Sequence, residues 1–361
     1  MKKFIATIGV SSLIMMIVIM DLLMPVKVYS AFENRYLTTR PPLSFFSVVS
    51  NKYSLTYEEY VNDQFFKRDS WITLKAWVEM MLQKSESNGV YIGYDGFLFE
   101  KVIHQDEQLA INKQAIEEFL EKVNNQNVSI ALSMSSYMTL KQNMPKHAPY
   151  FDQNQWLNDN TMNWPMIDLY DPTLDYSSLV YRNDHHWTLE GAHVAYQKIV
   201  EQWGDEAIPF KEFNAISINH FLGSTFNKAR ILNPTEDVFA YIDPTIDAYV
   251  FNNKQTDSLI NQSMLHQKDK YAAFMHGNIG FSKVIVTQVE KPSKILVIKD
   301  SYANSVIPFL INHHDEIDVV DLRNYNGSVV ELIKENNYDQ VLVLMSFSQF
   351  STDKSISKLN H

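Results

Sequence analysis

Two short stretches of the chain carry the residue types that acyl chemistry needs. In Tyr181-Arg182-Asn183-Asp184-His185-His186-Trp187-Thr188, a carboxylate stands two residues before an imidazole. That spacing lets Asp184 reach Nδ1 of His186, fixing the tautomer and leaving Nε2 free to act as a base. The second stretch is Lys294-Ile295-Leu296-Val297-Ile298-Lys299-Asp300-Ser301-Tyr302-Ala303-Asn304-Ser305, an apolar strand running into Asp-Ser and then helical spacing. A serine at a strand-to-helix junction stands at the carboxyl edge of a sheet, where backbone N–H groups of the next helix can stabilise an oxyanion. Together the stretches offer a nucleophile in Ser301, a base in His186 and an orienting acid in Asp184.

Each stretch also has a plainer reading. An isolated Asp-x-His is often structural, and Asp300 or Ser301 could simply cap a helix. A metal centre is a further chemical reading, because Asp184, His185, His186 and His193 bring four ligand-type side chains close in sequence. Against it, His193 lies on the apolar stripe Leu189, Ala192, Tyr196, Val200 and Trp203, where a satisfied core histidine is expected. Adjacent histidines also converge poorly on one ion. The expectation is therefore a site with no metal and no cofactor.

The elements that must position these residues read as follows. Thr188 is the expected N-cap of an amphipathic helix from Leu189 to Trp203, so Asp184 to Trp187 fall on its entering loop. Gln108 to Asn124 reads as a helix, Val128 to Met134 as a strand, Lys294 to Ile298 as a strand and Tyr302 to Asn312 as a helix that Pro308 must kink or divide. Ile317 to Leu322, Ser328 to Asn336 and Val341 to Met345 complete strand, helix and strand. Continuous apolar strands between amphipathic helices predict an α/β fold with a parallel sheet covered on both faces. Ligands of such sheets collect at the carboxyl ends of the strands. Residues 214–280 resist this pattern and read as a loop-rich insertion. Upstream, Thr56 to Lys84 shows helical spacing, and Asn88 to Phe99 reads as a β-hairpin turning at Tyr94-Asp95-Gly96. The expected organisation is a leader at 1–30, an N-terminal helical extension and hairpin at 31–100, and a catalytic α/β domain at 101–361.

The chain has 361 residues, 45% of them hydrophobic and 13% aromatic, and no cysteine. That composition supplies a packed core and excludes disulfides, thiolate metal sites and a cysteine nucleophile. A formal net charge of −11 repels phosphate backbones, so nucleic acid is not an expected partner. Lys2 and Lys3 precede an uncharged run from Phe4 to Met20, the polarity of an export signal. Val28-Tyr29-Ser30 before Ala31 suits signal peptidase, and the run is nearly long enough to serve as a membrane anchor if retained. The expected location is extracytoplasmic, secreted or anchored in the cell envelope.

With these residues in view, the chain resembles the DHHW family of bacterial proteins, whose motif stands here as Asp184-His185-His186-Trp187. It is also similar to the SGNH-hydrolase-like alginate O-acetylation proteins. The likeness includes Glu33-Asn34-Arg35, Asn62-Asp63-Gln64-Phe65, Arg68-Asp69-Ser70-Trp71 and Gly93-Tyr94-Asp95-Gly96-Phe97-Leu98. It continues through Asn183 to Thr188 and Ile298 to Ser305, the two specific strings. The resemblance implies an SGNH-like α/β fold, and transfer or hydrolysis of O-acetyl groups on a surface polysaccharide. It further implies a polytopic membrane acyl-transfer protein as partner. Carried over by motif, Ser301 is the nucleophile, His186 the base and Asp184 its orienter. SGNH hydrolases carry Gly-Asp-Ser where this chain has Lys299-Asp300-Ser301, and Gly277-Asn278 stands in for their Gly-x-Asn-Asp block. Asn278 and Asn304 are accordingly candidate oxyanion donors, while Tyr302, Trp187, Arg182 and His185 are candidates for lining the cleft. A catalytically silent polysaccharide-binding or assembly protein and a metal-dependent hydrolase are the competing functions.

Overall fold

The strand that leads to Ser301 sets the architecture. Ile295, Leu296, Val297 and Ile298 are all fully buried. Alternate residues enter different cores: Ile295 and Val297 pack in one, Leu296 and Ile298 in the other. A strand's side chains alternate between faces, so this strand is covered on both. Burying each such side chain stabilises the fold by about 2 kcal/mol.

A computed structural model describes residues 2–30, 32–33, 35–101, 106–124, 127–287 and 292–360. Ala31, the residue after the expected signal cut, and Asn34 of the Glu33-Asn34-Arg35 string lie outside the described residues. The chain divides into one unit of residues 1–88 with 227–233 and a second of 89–226 with 234–361.

The second unit is built on seven strands: β1 (Val128–Ser133), β2 (Ala248–Phe251), β3 (Lys254–Thr256), β4 (Phe281–Ile285), β5 (Lys294–Lys299), β6 (Glu316–Val320) and β7 (Gln340–Ser346). Their order is β3-β2-β4-β6-β5-β7-β1. The run β6-β5-β7-β1 is parallel, with Ile298 beside Val320 on one side and Val343 on the other. The pairs β6-β4, β4-β2 and β2-β3 are antiparallel. The sheet is therefore mixed, where the apolar pattern predicted a parallel one. The difference lies in residues 214–280, which are not a loop excursion: they supply β2 and β3 and lead into β4. β2 has only four residues and β3 is polar and largely exposed, so they lack the long apolar runs that marked the parallel strands.

Helix α1 (Asp106–Lys122) packs Ile116, Phe119 and Leu120 on one face of the sheet, and helix α2 (Leu189–Gln202) packs Ala192, Tyr196 and Ile199 on the other. Thr188 caps α2, its side chain accepting from the Gly191 N–H. The hairpin pairs Ile92 with Leu98, and Gly96 at φ +81° makes the turn. The single helix expected after Ser301 is two pieces, a 3₁₀ turn at Ser301–Ser305 and a short α-helix at Ile307–Leu310. Pro308 has no N–H to give and its ring clashes with the carbonyl four residues back, so one helix cannot run through.

The first unit contains a helix at Lys2–Leu23, and the helical stretch around residues 56–84 is two helices, Lys52–Gln64 and Arg68–Met81, divided where Lys67 takes a left-handed conformation. Among the described residues, no helix is long and apolar enough to cross a membrane. Asp63 is buried and accepts from both guanidinium nitrogens of Arg35, at 2.9 and 2.5 Å, and from the Thr38 N–H. Glu33 accepts from Arg68 at 2.6 Å. The strings around Glu33, Asp63 and Arg68 thus form an ionic brace within this unit. Trp71, Leu74 and Met81 on the second of these helices are exposed.

Asp300 ties β5 to β7. Its buried carboxylate accepts from the Tyr302 N–H at 2.8 Å, and from the Ser346 N–H and hydroxyl, each at 2.8 Å. Removing it orphans these donors, so Asp300→Ala should lower unfolding free energy by about 3 kcal/mol. The denaturant midpoint at unchanged m-value measures this; a loss below about 1 kcal/mol would contradict the tie.

Candidate active site

Ser301 is the second residue past β5, at the carboxyl edge of the sheet. The loop entering α2 lays His186 against it: Nε2 of the ring is 2.8 Å from Ser301 Oγ. On the other side of the ring, Nδ1 is 2.6 Å from Asp184 Oδ1, which also accepts the His186 backbone N–H at 3.0 Å. Asp184 Oδ2 accepts from the Ser224 N–H at 2.7 Å and the Ser224 hydroxyl at 2.9 Å. With Asp184 accepting at Nδ1, the ring carries its proton there, and bare Nε2 faces the hydroxyl. The three side chains proposed from sequence are therefore in one hydrogen-bonded line, Asp184 to His186 to Ser301.

The loop is held from beneath. Buried Asn183 donates to the carbonyls of Phe221 and Thr235 and accepts from the Gly223 N–H at 2.6 Å. Asp237 accepts from the N–H groups of Arg182 and Asn183 at 2.8 and 3.2 Å. Glycine is required at 223: a Cβ there would stand 2.3 Å from Asp184 Oδ2. Tyr271 lies flat against the His186 ring, centroids 3.6 Å apart and planes within 5°. Its hydroxyl is 2.8 Å from Ser305 Oγ, to which Trp187 Nε1 donates at 2.8 Å. Ser224, Gly223 and Tyr271 come from the region read as an insertion. No sequence motif marked them; the signal available was only a Gly-Ser pair and one tyrosine among nineteen.

The remaining candidates take varied positions. His185 sits beside His186, rings 3.9 Å apart, with Nδ1 at 2.7 Å from Ser224 Oγ. Tyr302 is buried and its hydroxyl donates to the His185 carbonyl. Trp187 is buried too, edge-on to Tyr302 at 5.0 Å. The guanidinium of Arg182 rests over Phe97 at 5.3 Å and reaches Asp237 at 3.5 Å. Asn304 is buried and donates to Asn278 Oδ1 at 3.4 Å, which also accepts from Lys299 Nζ at 3.2 Å. Lys299 is itself buried against Asp321, which Arg323 grips with two nitrogens.

Asp184, His185 and His186 place ligating atoms within 4.8 Å of one another. His193 stands apart from this group, buried on α2 with Nε2 on the Ile208 carbonyl at 2.8 Å. A metal at the cluster would compete with Ser224 for Asp184 and with Ser301 for His186.

Burial would raise the Asp184 carboxyl, but its interaction with the His186 ring and the Ser224 N–H holds it well below the usual carboxylate range. Burial pushes His186 down to about 4, His185 adding to the push and Asp184 opposing it. The ring is therefore neutral at pH 7 and able to accept a proton.

Residues 166–320 match the family described as DHHW protein. Over this segment the chain is similar to that family. Among solved structures, a DHHW family protein from Eubacterium siraeum is similar, with a TM-score of 0.62 and 21% identity over 76% of this chain and 96% of that one. PatB1 of Bacillus cereus, in a structure with a sulfonyl adduct, has a TM-score of 0.62 and 20% identity over 74% of this chain and 97% of that one. These share the fold. The O-acetyltransferase domain of Pseudomonas putida AlgJ gives a TM-score of 0.43 at 14% identity, over 75% of this chain and 98% of that one. No curated protein matches the chain in sequence.

Because His186 is depressed to about 4, base-assisted reaction at Ser301 should stay fast from pH 7 to about 5 and fall only as the ring protonates near 4. The rate of Ser301 labelling by a sulfonyl fluoride, followed by mass spectrometry at each pH, reads this. A half-maximal rate near 6.5 would show an unperturbed imidazole instead.

Proposed function

We propose that the chain is an extracytoplasmic serine O-acetyltransferase or acetylesterase of SGNH-like fold, acting on a cell-surface polysaccharide. The observation that carries the reading is the Asp184–His186–Ser301 line at the carboxyl edge of the sheet, with Nε2 at 2.8 Å from the hydroxyl. The similarity to DHHW and PatB1 structures supports the fold. The helix at Lys2–Leu23 serves as export signal in this reading, and a polytopic membrane protein delivers the acetyl group.

His186 takes the Ser301 proton on Nε2 as Oγ attacks the acetyl carbonyl. The oxyanion is met by the Ser301 N–H and by the Asn278–Asn304 pair. Collapse expels the donor's alcohol, which leaves with the proton from His186, and acetyl-serine remains. A sugar hydroxyl then gives its proton to His186 and attacks, producing the O-acetyl sugar; water in its place gives acetate. Ser301 recovers its proton in either case. Asp184 stays ionised throughout and holds the imidazolium.

Ser301→Ala and His186→Ala should each lower acetyl-ester turnover by ~10³-fold or more with the fold intact. Incubation with an activated acetyl ester should leave an acetyl group on Ser301 by peptide mass spectrometry. Full turnover by Ser301→Ala would overturn the reading, and loss of turnover on chelation would favour a metal hydrolase.

A further inference from the structure

A cavity of about 310 Å³ opens beside the triad, at the carboxyl end of β1 and against α2. Neither Ser301 nor His186 lines it, but their chain neighbours Tyr302 and His185 do. Its floor is buried and apolar: Leu132, Ile167, Leu179, Trp187 and Ala195. At the rim, Asn158, Met162 and Asp168 are exposed.

Several of the polar groups along the wall are already engaged within the protein. Thr161 Oγ1 donates to the Leu157 carbonyl at 2.9 Å and Thr139 Oγ1 to the Ser136 carbonyl at 3.1 Å. The Tyr176 hydroxyl accepts from the Asp171 N–H at 2.9 Å, and Trp187 Nε1 faces away to Ser305. Asp168 Oδ1 accepts from the Tyr170 N–H at 2.9 Å. A sugar ring reaching the apolar floor would leave hydroxyls without partners, which is costly in a buried site. A hydrocarbon chain has no such requirement and would gain from the apolar floor.

We propose that this cavity takes the hydrocarbon tail of an acyl group longer than acetyl, presented to Ser301 past His185 and Tyr302. The proposal rests on the serine acyl chemistry above and widens its substrate class from acetyl to medium-chain acyl esters. The chemistry is unchanged: Ser301 Oγ bonds to the acyl carbon, the ester C–O bond breaks, and the departing alcohol takes the proton held by His186.

The test is a series of 4-nitrophenyl esters, acetyl through octanoyl, with the full chain. Each buried methylene is worth up to about fourfold, so kcat/KM for hexanoyl should exceed that for acetyl at least about tenfold. Val194→Phe and Leu157→Phe both fill the cavity from its half-buried wall. Either should remove the hexanoyl advantage while leaving acetyl turnover within about twofold, and near-ultraviolet dichroism checks the fold. A flat or falling series overturns the proposal, as does a hexanoyl preference that survives both substitutions. Should no ester be turned over in a Ser301-dependent way, the serine reading fails by itself, and the cavity is then judged by calorimetry with octanoate. Binding that Val194→Phe abolishes upholds the cavity's role, and no binding overturns it.

Discussion

A hydrogen bond 2.8 Å long joins two parts of the chain more than a hundred residues apart: Nε2 of His186, on the loop entering α2, and Oγ of Ser301, at the end of β5. A bond of that length tolerates displacement of only a few tenths of an ångström, so both ends must be fixed independently. At the serine end, a fully buried strand paired on both sides sets the position, and Asp300 locks the turn to β7. At the histidine end, Asp184 fixes the ring's tautomer and Asn183, Asp237 and Gly223 fix the loop. Tyr271 closes one face of the ring.

Burial is what makes this arrangement useful and also what makes it demanding. Taking His186 out of water favours its neutral form, which a base requires, but the same burial penalises the Asp184 charge. Asp184 remains ionised because four hydrogen-bond donors converge on it: the His186 ring and N–H, and the Ser224 N–H and hydroxyl. The region between α2 and β4 therefore does more than extend the sheet. It brings Ser224 and Tyr271 to a loop that could not hold its own charge.

What was legible in the sequence follows from the range of the forces involved. Asp184 and His186 interact across two residues, and Ser301 follows directly from an apolar strand, so local spacing exposed all three. The parallel strands announced themselves because burial on both faces demands unbroken apolar runs. β2 is only four residues long and β3 is a short polar edge strand, so neither offers an unbroken apolar run that sets it apart from loop. The antiparallel half of the sheet was missed for that reason. Ser224, Gly223 and Tyr271 act through tertiary contact alone, and nothing in their neighbourhoods distinguishes them. Trp187 and Tyr302 stood beside the motifs as candidates for lining the cleft, and both wall the cavity, with their bodies packed in the core and their polar atoms bonded to Ser305 and the His185 carbonyl. The cavity they wall could not be read at all, because its lining is drawn from six separate segments of chain.

The account stands or falls on Ser301 and His186 acting as one unit rather than as two independent contributors. A double-mutant cycle on acetyl-ester turnover examines that directly. If the pair acts together, Ser301→Ala combined with His186→Ala is no slower than either substitution alone, because each already removes the whole proton-coupled attack. If the two losses multiply, the residues contribute separately and the hydrogen bond between them is not the centre of the chemistry.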